Sequence, residues 1–270
     1  MFSAGSGETG GGTGVLFAPG YVLTAAHNVF IAGEWATKVG FSLAQCGEIC
    51  KPYGSVSVSD IWVPTGYTEF ESAVPGAPTT PELIRYKSFD FALLKLGSDL
   101  TTWAVEAAPP PSTLPTFAVS PDMNFGAIDV RATGYACGRE PPSMDLGMCR
   151  IDLWPYTTSA EARVLELVMQ AEGTGTLRAD VEATARMSGG PVWINFLGVP
   201  VQIGVLIGSN CMDDGANWAA ALTDTALAWI QVAIFSGSHP SLVHRTPGAG
   251  FYPDGGYGSG FAEFGECDQL

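Results

Sequence analysis

Short apolar runs separated by glycine, proline and asparagine dominate this chain, and they limit the folds open to it more than any other feature. In FDFALLKL (89–96) and ARVLELVM (162–169), branched and aromatic residues recur at strand spacing. Similar runs occupy residues 14–27, 127–136 and 199–209. Many short strands with frequent turns are typical of an all-β sandwich or barrel.

A proline-rich stretch, AVEAAPPPSTLPTF (104–117), divides the chain into two β units of similar size. Proline cannot donate a hydrogen bond to a β-ladder, so this stretch is predicted to be an extended linker. The clearest predicted helix spans residues 222–235, with Thr223 or Asp224 as its cap. The predicted organisation is an N-terminal unit, a linker, a C-terminal unit with its closing helix, and a Gly/Pro-rich tail: 1–103, 104–118, 119–235 and 236–270.

The charge balance makes a nucleic-acid partner unexpected. With 27 acidic and 12 basic residues, the formal net charge is −15, and such a chain would repel phosphates. No window holds the roughly 18 uninterrupted apolar residues of a membrane span. The first residues, MFSAGSGETGGG, lack the basic and apolar segments of a secretory signal.

Six cysteines, an even number without a CxxC pair, favour disulfides and hence an oxidising compartment. A zinc site is the alternative, although structural zinc sites normally have ligands closer in sequence. We therefore expect a secreted or periplasmic protein whose signal peptide has been removed. The separations along the chain suggest the pairs Cys46–Cys50, Cys137–Cys149 and Cys211–Cys267.

Three segments together indicate acyl-transfer chemistry, although each is weak alone. TAAH ends with His27 after an apolar run, FDFALLKL contains Asp90, and SGGP begins with Ser188. A serine hydroxyl needs a base to take its proton, and the base needs an acid to fix its tautomer. The linker lies between the Asp and the Ser, so the site is predicted in the cleft between the two β units.

These segments resemble a known family. GVLFAPGYVLTAAHNVF, SFDFALLKLG and MSGGPV are similar to motifs of the trypsin-like (chymotrypsin-fold) serine proteases. ATGYA, the threonine of VEATARMSGGP, and QIGVLIGS followed by NWAAALTDTALAWI resemble the bacterial glutamyl-endopeptidase-like branch more closely. The likeness covers about residues 10 to 235, and the tail from Ser236 has no counterpart in it.

The resemblance implies two six-stranded antiparallel β-barrels and a serine endopeptidase that acts on peptides through an acyl-enzyme, without a cofactor or metal. His27 would be the general base, Asp90 its orienting acid and Ser188 the nucleophile. The backbone N–H groups of Arg186 and Ser188 would form the oxyanion hole. Glu182, Ser209 and Asn217 would line the specificity pocket, which favours a basic residue before the scissile bond.

The pattern departs from the family most at Arg186, where the family prefers glycine because the backbone turns sharply there. Arginine keeps the N–H donor, so only the direction of that donor is in question; alternatively, the side chain shapes specificity on the leaving-group side. Leu206 replaces the histidine with which the glutamyl branch reads glutamate. Two rival functions stay open: a non-catalytic binding protein with a collapsed oxyanion hole, marked by Arg186 and Met187, and a protease held latent by residues 236–270.

Overall fold

Within the residues that it describes, the computed structural model of this chain has an all-β architecture built from two large sheets and a two-stranded pair, with three α-helices. The residues that it describes are 2–3, 9–43, 55–73, 80–97, 113–125, 128–137, 151–158, 162–183, 186–209 and 216–248. The strands are β1 (Phe2–Ser3), β2 (Thr9–Gly10), β3 (Gly14–Ala18), β4 (Tyr21–Thr24), β5 (Phe30–Ile31), β6 (Glu34–Trp35), β7 (Lys38–Ser42), β8 (Ser55–Pro64), β9 (Ala92–Leu96), β10 (Val130–Cys137), β11 (Ile151–Thr157), β12 (Val164–Met169), β13 (Gly175–Ala179), β14 (Pro191–Phe196), β15 (Val199–Ser209), β16 (Asn217–Ala221) and β17 (Leu242–Arg245).

The first sheet belongs to the N-terminal half, and its strands run in the order β2-β1-β7-β8-β9-β4-β3, with β17 paired to β8. Strands β4 and β9 are antiparallel neighbours whose inward side chains, including Val22 and Leu94, are fully buried. A separate pair, β5 and β6, follows the short 3₁₀ helix Ala26–Asn28. The buried apolar residues of these strands form one core cluster, which includes Val22, Ile61 and Leu94.

The second sheet contains β10 to β16 in the order β11-β10-β14-β15-β16-β13-β12. Leu177 and Ile203 are fully buried in its core. The described end of the predicted linker crosses to this sheet, where Phe117 N–H donates to the Gln202 carbonyl at 2.9 Å. The two-barrel, all-β prediction is confirmed; within the described residues the sheets have eight and seven strands rather than six each.

Helix α3 (Asp224–Ser236) lies where the sequence predicts a helix, and its buried residues join a core cluster with residues of both large sheets. Of the two candidate caps, Thr223 is the N-cap, and its hydroxyl accepts a hydrogen bond from Ala226 N–H. Gly237 ends the helix in the left-handed conformation, with φ of 76°. Within the described residues, no helix is both long enough and apolar enough to cross a bilayer.

Two further helices, α1 (Thr65–Ala73) and α2 (Thr80–Lys87), precede β9 and were not predicted. Helix α2 contacts the second sheet, where the Thr176 hydroxyl donates to the Ile84 carbonyl at 3.0 Å. The Ser88 and Thr174 hydroxyls form another buried hydrogen bond, 2.9 Å long, at the same interface. The segment that leads into Asp90 is therefore anchored to both halves of the protein.

Strand β17 adds part of the tail to the first sheet, antiparallel to residues 61–64 of β8. His244 stacks on Trp62 with ring centroids 4.9 Å apart, and its Nε2 lies 2.9 Å from Asp60 Oδ1. The tail is thus part of the N-terminal barrel up to residue 248, and residues 249–270 lie outside the described part of the chain. The predicted disulfides also fall outside it, because Cys137 ends β10 without a described side chain and the other five cysteines are not described.

Candidate active site

His27 and Asp90 are brought together by the adjacent strands β4 and β9. Thr24 pairs with Ala92 in that ladder, so residues just after β4 and just before β9 lie side by side. His27 Nδ1 is 2.8 Å from Asp90 Oδ2, and His27 N–H donates to Asp90 Oδ1 at 3.0 Å. The Asp90 side chain is 2% exposed and that of His27 12%. A buried carboxylate thus holds His27 by one contact to the imidazole and one to the backbone N–H, and Nε2 lies on the far side of the ring.

Ser188 lies on a tight turn before β14, where both glycines of SGGP are required by close contacts. A Cβ on Gly189, whose φ is 88°, would lie 2.1 Å from the Thr13 carbonyl oxygen. A Cβ on Gly190 would lie 2.1 Å from the Thr133 carbonyl oxygen. The turn is closed by Gly190 N–H, which donates to the Met187 carbonyl at 2.9 Å. Because carbonyl and N–H point in opposite directions across a trans peptide, this bond fixes the direction of the Ser188 N–H.

The Ser188 turn is held against the half that carries His27. The Ser188 carbonyl accepts hydrogen bonds from Thr13 N–H at 2.8 Å and from Asn28 Nδ2 at 3.0 Å. The Thr13 hydroxyl donates to the Arg186 carbonyl at 2.9 Å. Asn28 directly follows His27, so one side chain links the histidine turn to the serine turn. The Ser188 hydroxyl itself donates to the Ile207 carbonyl at 2.7 Å.

Arg186 adopts φ of 72°, the left-handed conformation that favours glycine. For an L-residue other than glycine this conformation costs about 1–2 kcal/mol. The hydrogen bond from Thr13 to the Arg186 carbonyl helps to hold it. Met187 is fully buried in the core of the second sheet. The two large residues before Ser188 therefore fit a sharply turned backbone, with Met187 directed into the core.

Of the residues predicted to line a specificity pocket, two are paired in the second sheet. Ser209 and Asn217 are directly opposite in the β15–β16 ladder. Asn217 Nδ2 donates to the Val181 carbonyl at 2.5 Å, so it reaches the segment that contains Glu182. Glu182 is exposed. Leu206, by contrast, is fully buried in the core of this sheet.

The comparison with protein families agrees with this geometry, since residues 12–198 match the trypsin-like peptidase domain. The chain belongs to the trypsin-like peptidase family. It is therefore a member of the serine endopeptidase class, as the sequence motifs predict. The comparison with curated proteins found no match to this trypsin-like peptidase.

Solved structures similar to this trypsin-like peptidase share its fold at low sequence identity. A Glu endopeptidase solved in complex with MPD is 17% identical, with a TM-score of 0.54 over 82% of this chain and 84% of the other. The protease Anisep from Arthrobacter nicotinovorans is 14% identical, with a TM-score of 0.56 over 87% and 93%. A thermostable serine protease, AL20, from an extremophilic microorganism is 13% identical, with a TM-score of 0.54 over 84% and 91%.

Titratable groups surround Asp90 on the α1–α2 side of this trypsin-like peptidase. Burial and the Asp90 charge raise the pKa values of Tyr67 and Tyr86 above their ordinary values, so both stay neutral. Tyr86 Oη lies 2.7 Å from Tyr67 Oη and 2.5 Å from Glu71 Oε1. Burial lowers the pKa of Lys87 to about 8, and the Asp90 charge opposes that shift. Within the described residues, no group of three His, Cys, Asp or Glu side chains could hold a metal ion.

Sequence reasoning missed the side chains that support the predicted site in this trypsin-like peptidase. Thr13 lies in a glycine-rich stretch that reads as a flexible end, yet it is 5% exposed and contacts the serine turn through both N–H and Oγ1. Asn28 and Lys87 flank the predicted base and acid along the chain. The sequence marks these two residues only by their closeness to His27 and Asp90, because the groups that they contact, Ser188 and Trp218, lie far away in sequence.

Proposed function

We propose that the chain hydrolyses peptide bonds through Ser188 as nucleophile, His27 as general base and Asp90 as the acid that orients the base. The observation that carries this proposal is the pair of contacts from His27 to the buried carboxylate of Asp90, with Ser188 on the turn that Asn28 holds. Asp90 favours the tautomer with a proton on Nδ1, in which Nε2 carries a lone pair that can accept the serine proton.

The reaction has two acyl-transfer steps. For attack, the Ser188 hydroxyl turns from the Ile207 carbonyl toward His27 and gives its proton to Nε2 while Oγ bonds to the substrate carbonyl carbon. The protonated imidazole then gives that proton to the leaving amine. Water, activated by His27, releases the acyl group and restores Ser188. The N–H groups of Arg186 and Ser188 stabilise the oxyanion in both steps.

A fluorophosphonate probe tests this proposal directly, because it reacts with an activated serine and not with an ordinary hydroxyl. We expect one covalent adduct per chain, located on Ser188 by peptide mass mapping. The folded Ser188→Ala variant serves as the control and should stay unlabelled. A folded wild-type chain that gains no adduct on Ser188 would instead support the non-catalytic binding protein.

Two substitutions at Arg186 test whether the left-handed backbone at this residue directs its N–H as an oxyanion donor. Arg186→Gly should keep kcat within about threefold, because glycine adopts a φ of 72° without strain and retains the N–H donor. Arg186→Val should lower kcat by about 10²–10³, since a β-branched residue resists this conformation and misdirects one oxyanion donor. Steady-state peptide hydrolysis measures both, and equal kcat values for the Gly and Val variants would contradict this role.

The specificity pocket is proposed to take a basic side chain before the scissile bond. Its support is that Ser209 and Asn217 face each other across two strands and that Asn217 reaches the segment of the exposed Glu182. A carboxylate attracts arginine or lysine by charge-assisted hydrogen bonds. The buried Leu206 offers no group to pair with a glutamate. The secreted location, the disulfides and the domain boundaries at 103 and 118 stay predictions.

A further inference from the structure

A lysine from one half of the protein and a tryptophan from the other meet beside the proposed active site. Lys87 ends α2, which precedes β9 of the first sheet in the chain, and Trp218 lies in β16 of the second sheet. Lys87 Nζ is 5.3 Å from the centroid of the Trp218 ring, within the range of a cation–π contact. Lys87 is also tied to the acid of the proposed triad, because its carbonyl accepts from Asp90 N–H at 3.2 Å.

The sheet register places Trp218 one strand away from the nucleophile. Trp218 is directly opposite Gly208, and directly opposite residues project from the same face of a sheet. A Cβ on Gly208 would lie 3.5 Å from Ser188 Oγ. Since neighbouring strands are about 5 Å apart, the Trp218 side chain, which is 5% exposed, lies one strand from the Gly208 backbone that faces Ser188 Oγ.

Among the residues that the structure describes, the Lys87 ammonium has no carboxylate partner. Both oxygens of the nearby Asp90 carboxylate contact His27. Across the described part of the chain, no carboxylate lies within ion-pair distance of Lys87 Nζ. Lys87 is nevertheless partly exposed, and burial lowers its pKa to about 8. A partly desolvated cation that still reaches solvent at the edge of a cleft is well placed to gain a carboxylate from a bound molecule.

We infer that Lys87, held over the Trp218 ring, recognises an acidic side chain of the peptide substrate, close to the scissile bond. The buried Trp218 ring positions the Lys87 ammonium through the cation–π contact, and Lys87 pairs with the carboxylate of that side chain. This inference rests on the proposed peptidase function. Together with a basic residue in the specificity pocket, it makes the preferred substrate a peptide in which an acidic and a basic residue lie near each other around the bond that is cut.

The test is a set of peptides with arginine before the scissile bond and either Glu or Gln at each neighbouring position in turn. We expect one position at which Glu raises kcat/KM about tenfold over Gln, the size of a single partly buried charge pair. In Lys87→Gln this ratio should fall to within about twofold of unity, and Lys87→Arg should restore it. Lys95→Gln is the matched control, because Lys95 is an exposed cation of β9 beside Asp60.

Labelling by the fluorophosphonate probe distinguishes a failure of this inference from a failure of the peptidase function. If the lysine variants are labelled like the wild type and the Glu/Gln ratio is the same in all of them, the inference is overturned and the peptidase function stands. If the wild type is not labelled, both fall. Thermal unfolding midpoints within a few degrees of the wild type show that Lys87→Gln and Lys87→Arg are folded. A general loss of kcat/KM in both variants without a change in the ratio indicates a purely structural lysine.

Discussion

Replacing Ser188 by alanine is expected to lower kcat for peptide hydrolysis by about 10⁶-fold. The reason is that the proposed reaction forms its covalent bond at Ser188 Oγ, which in the resting structure makes one hydrogen bond, to Ile207. Loss of that single bond leaves the turn held by Thr13 and Asn28, so the variant should fold. Single-turnover hydrolysis of a fluorogenic peptide at high enzyme concentration measures the remaining rate.

Ser72→Ala is the matched control for this loss. Ser72 is exposed on α1, and its hydroxyl also donates to a backbone carbonyl, that of Thr68, at 2.7 Å. The control should retain full activity. A second check is the double variant Ser188→Ala/His27→Ala, which should be no slower than Ser188→Ala alone, because the two groups act on one proton transfer. Activity within tenfold of the wild type in Ser188→Ala would show that catalysis uses another group.

Asp90→Asn is expected to lower kcat about 10⁴-fold while the fold is retained. In the wild type, one carboxylate oxygen faces His27 Nδ1 and the other accepts from His27 N–H. An asparagine oxygen can keep the contact with the backbone N–H, but the amide NH₂ then faces Nδ1 and needs it as an acceptor. The imidazole proton moves to Nε2, which can no longer accept the proton of Ser188.

The chain contains a second aspartate–histidine contact that serves as a control for Asp90→Asn. Asp60 Oδ1 lies 2.9 Å from His244 Nε2 in the β8–β17 region. Asp60→Asn removes a carboxylate from a histidine in the same way, but without a serine turn beside it. It should leave kcat within about twofold of the wild type. If both asparagine variants lose activity to the same extent, the effect is a general loss of stability and not a loss of the proposed base.

The strands could be predicted from the sequence because their apolar residues repeat at a short, local spacing. Helices α1 and α2 could not. Among the residues of α1 only Tyr67 is buried, and none of those of α2 is, so neither helix carries an apolar stripe that a local pattern reveals. Short helices of this kind depend on tertiary contacts for their stability. For α2 those contacts come from Thr174 and Thr176, some 90 residues later in the chain.

The site, like the fold, could be predicted only where residues lie in local sequence motifs. His27, Asp90 and Ser188 each lie in a recognisable local motif, and the sharp backbone at Arg186 follows from the kind of residue that the family has there. The groups that support them are defined by contacts between distant segments. Thr13 is 173 residues from Arg186, and Lys87 meets Trp218 through a helix that the sequence does not show. No local pattern of residues encodes such pairs.

The pairing of β17 with β8 means that the N-terminal barrel is assembled from segments some 180 residues apart in the chain. β8 pairs with β7 at residues 55–57 and with β17 at residues 61–64, so the two short strands share its length. Trp62 Nε1 also donates to the Gly237 carbonyl, at 3.1 Å. During synthesis, residues 61–64 can form these contacts only after the segment around residues 237–245 has left the ribosome. The first sheet is therefore completed only after the second sheet and the segment around residues 237–245 have been synthesised.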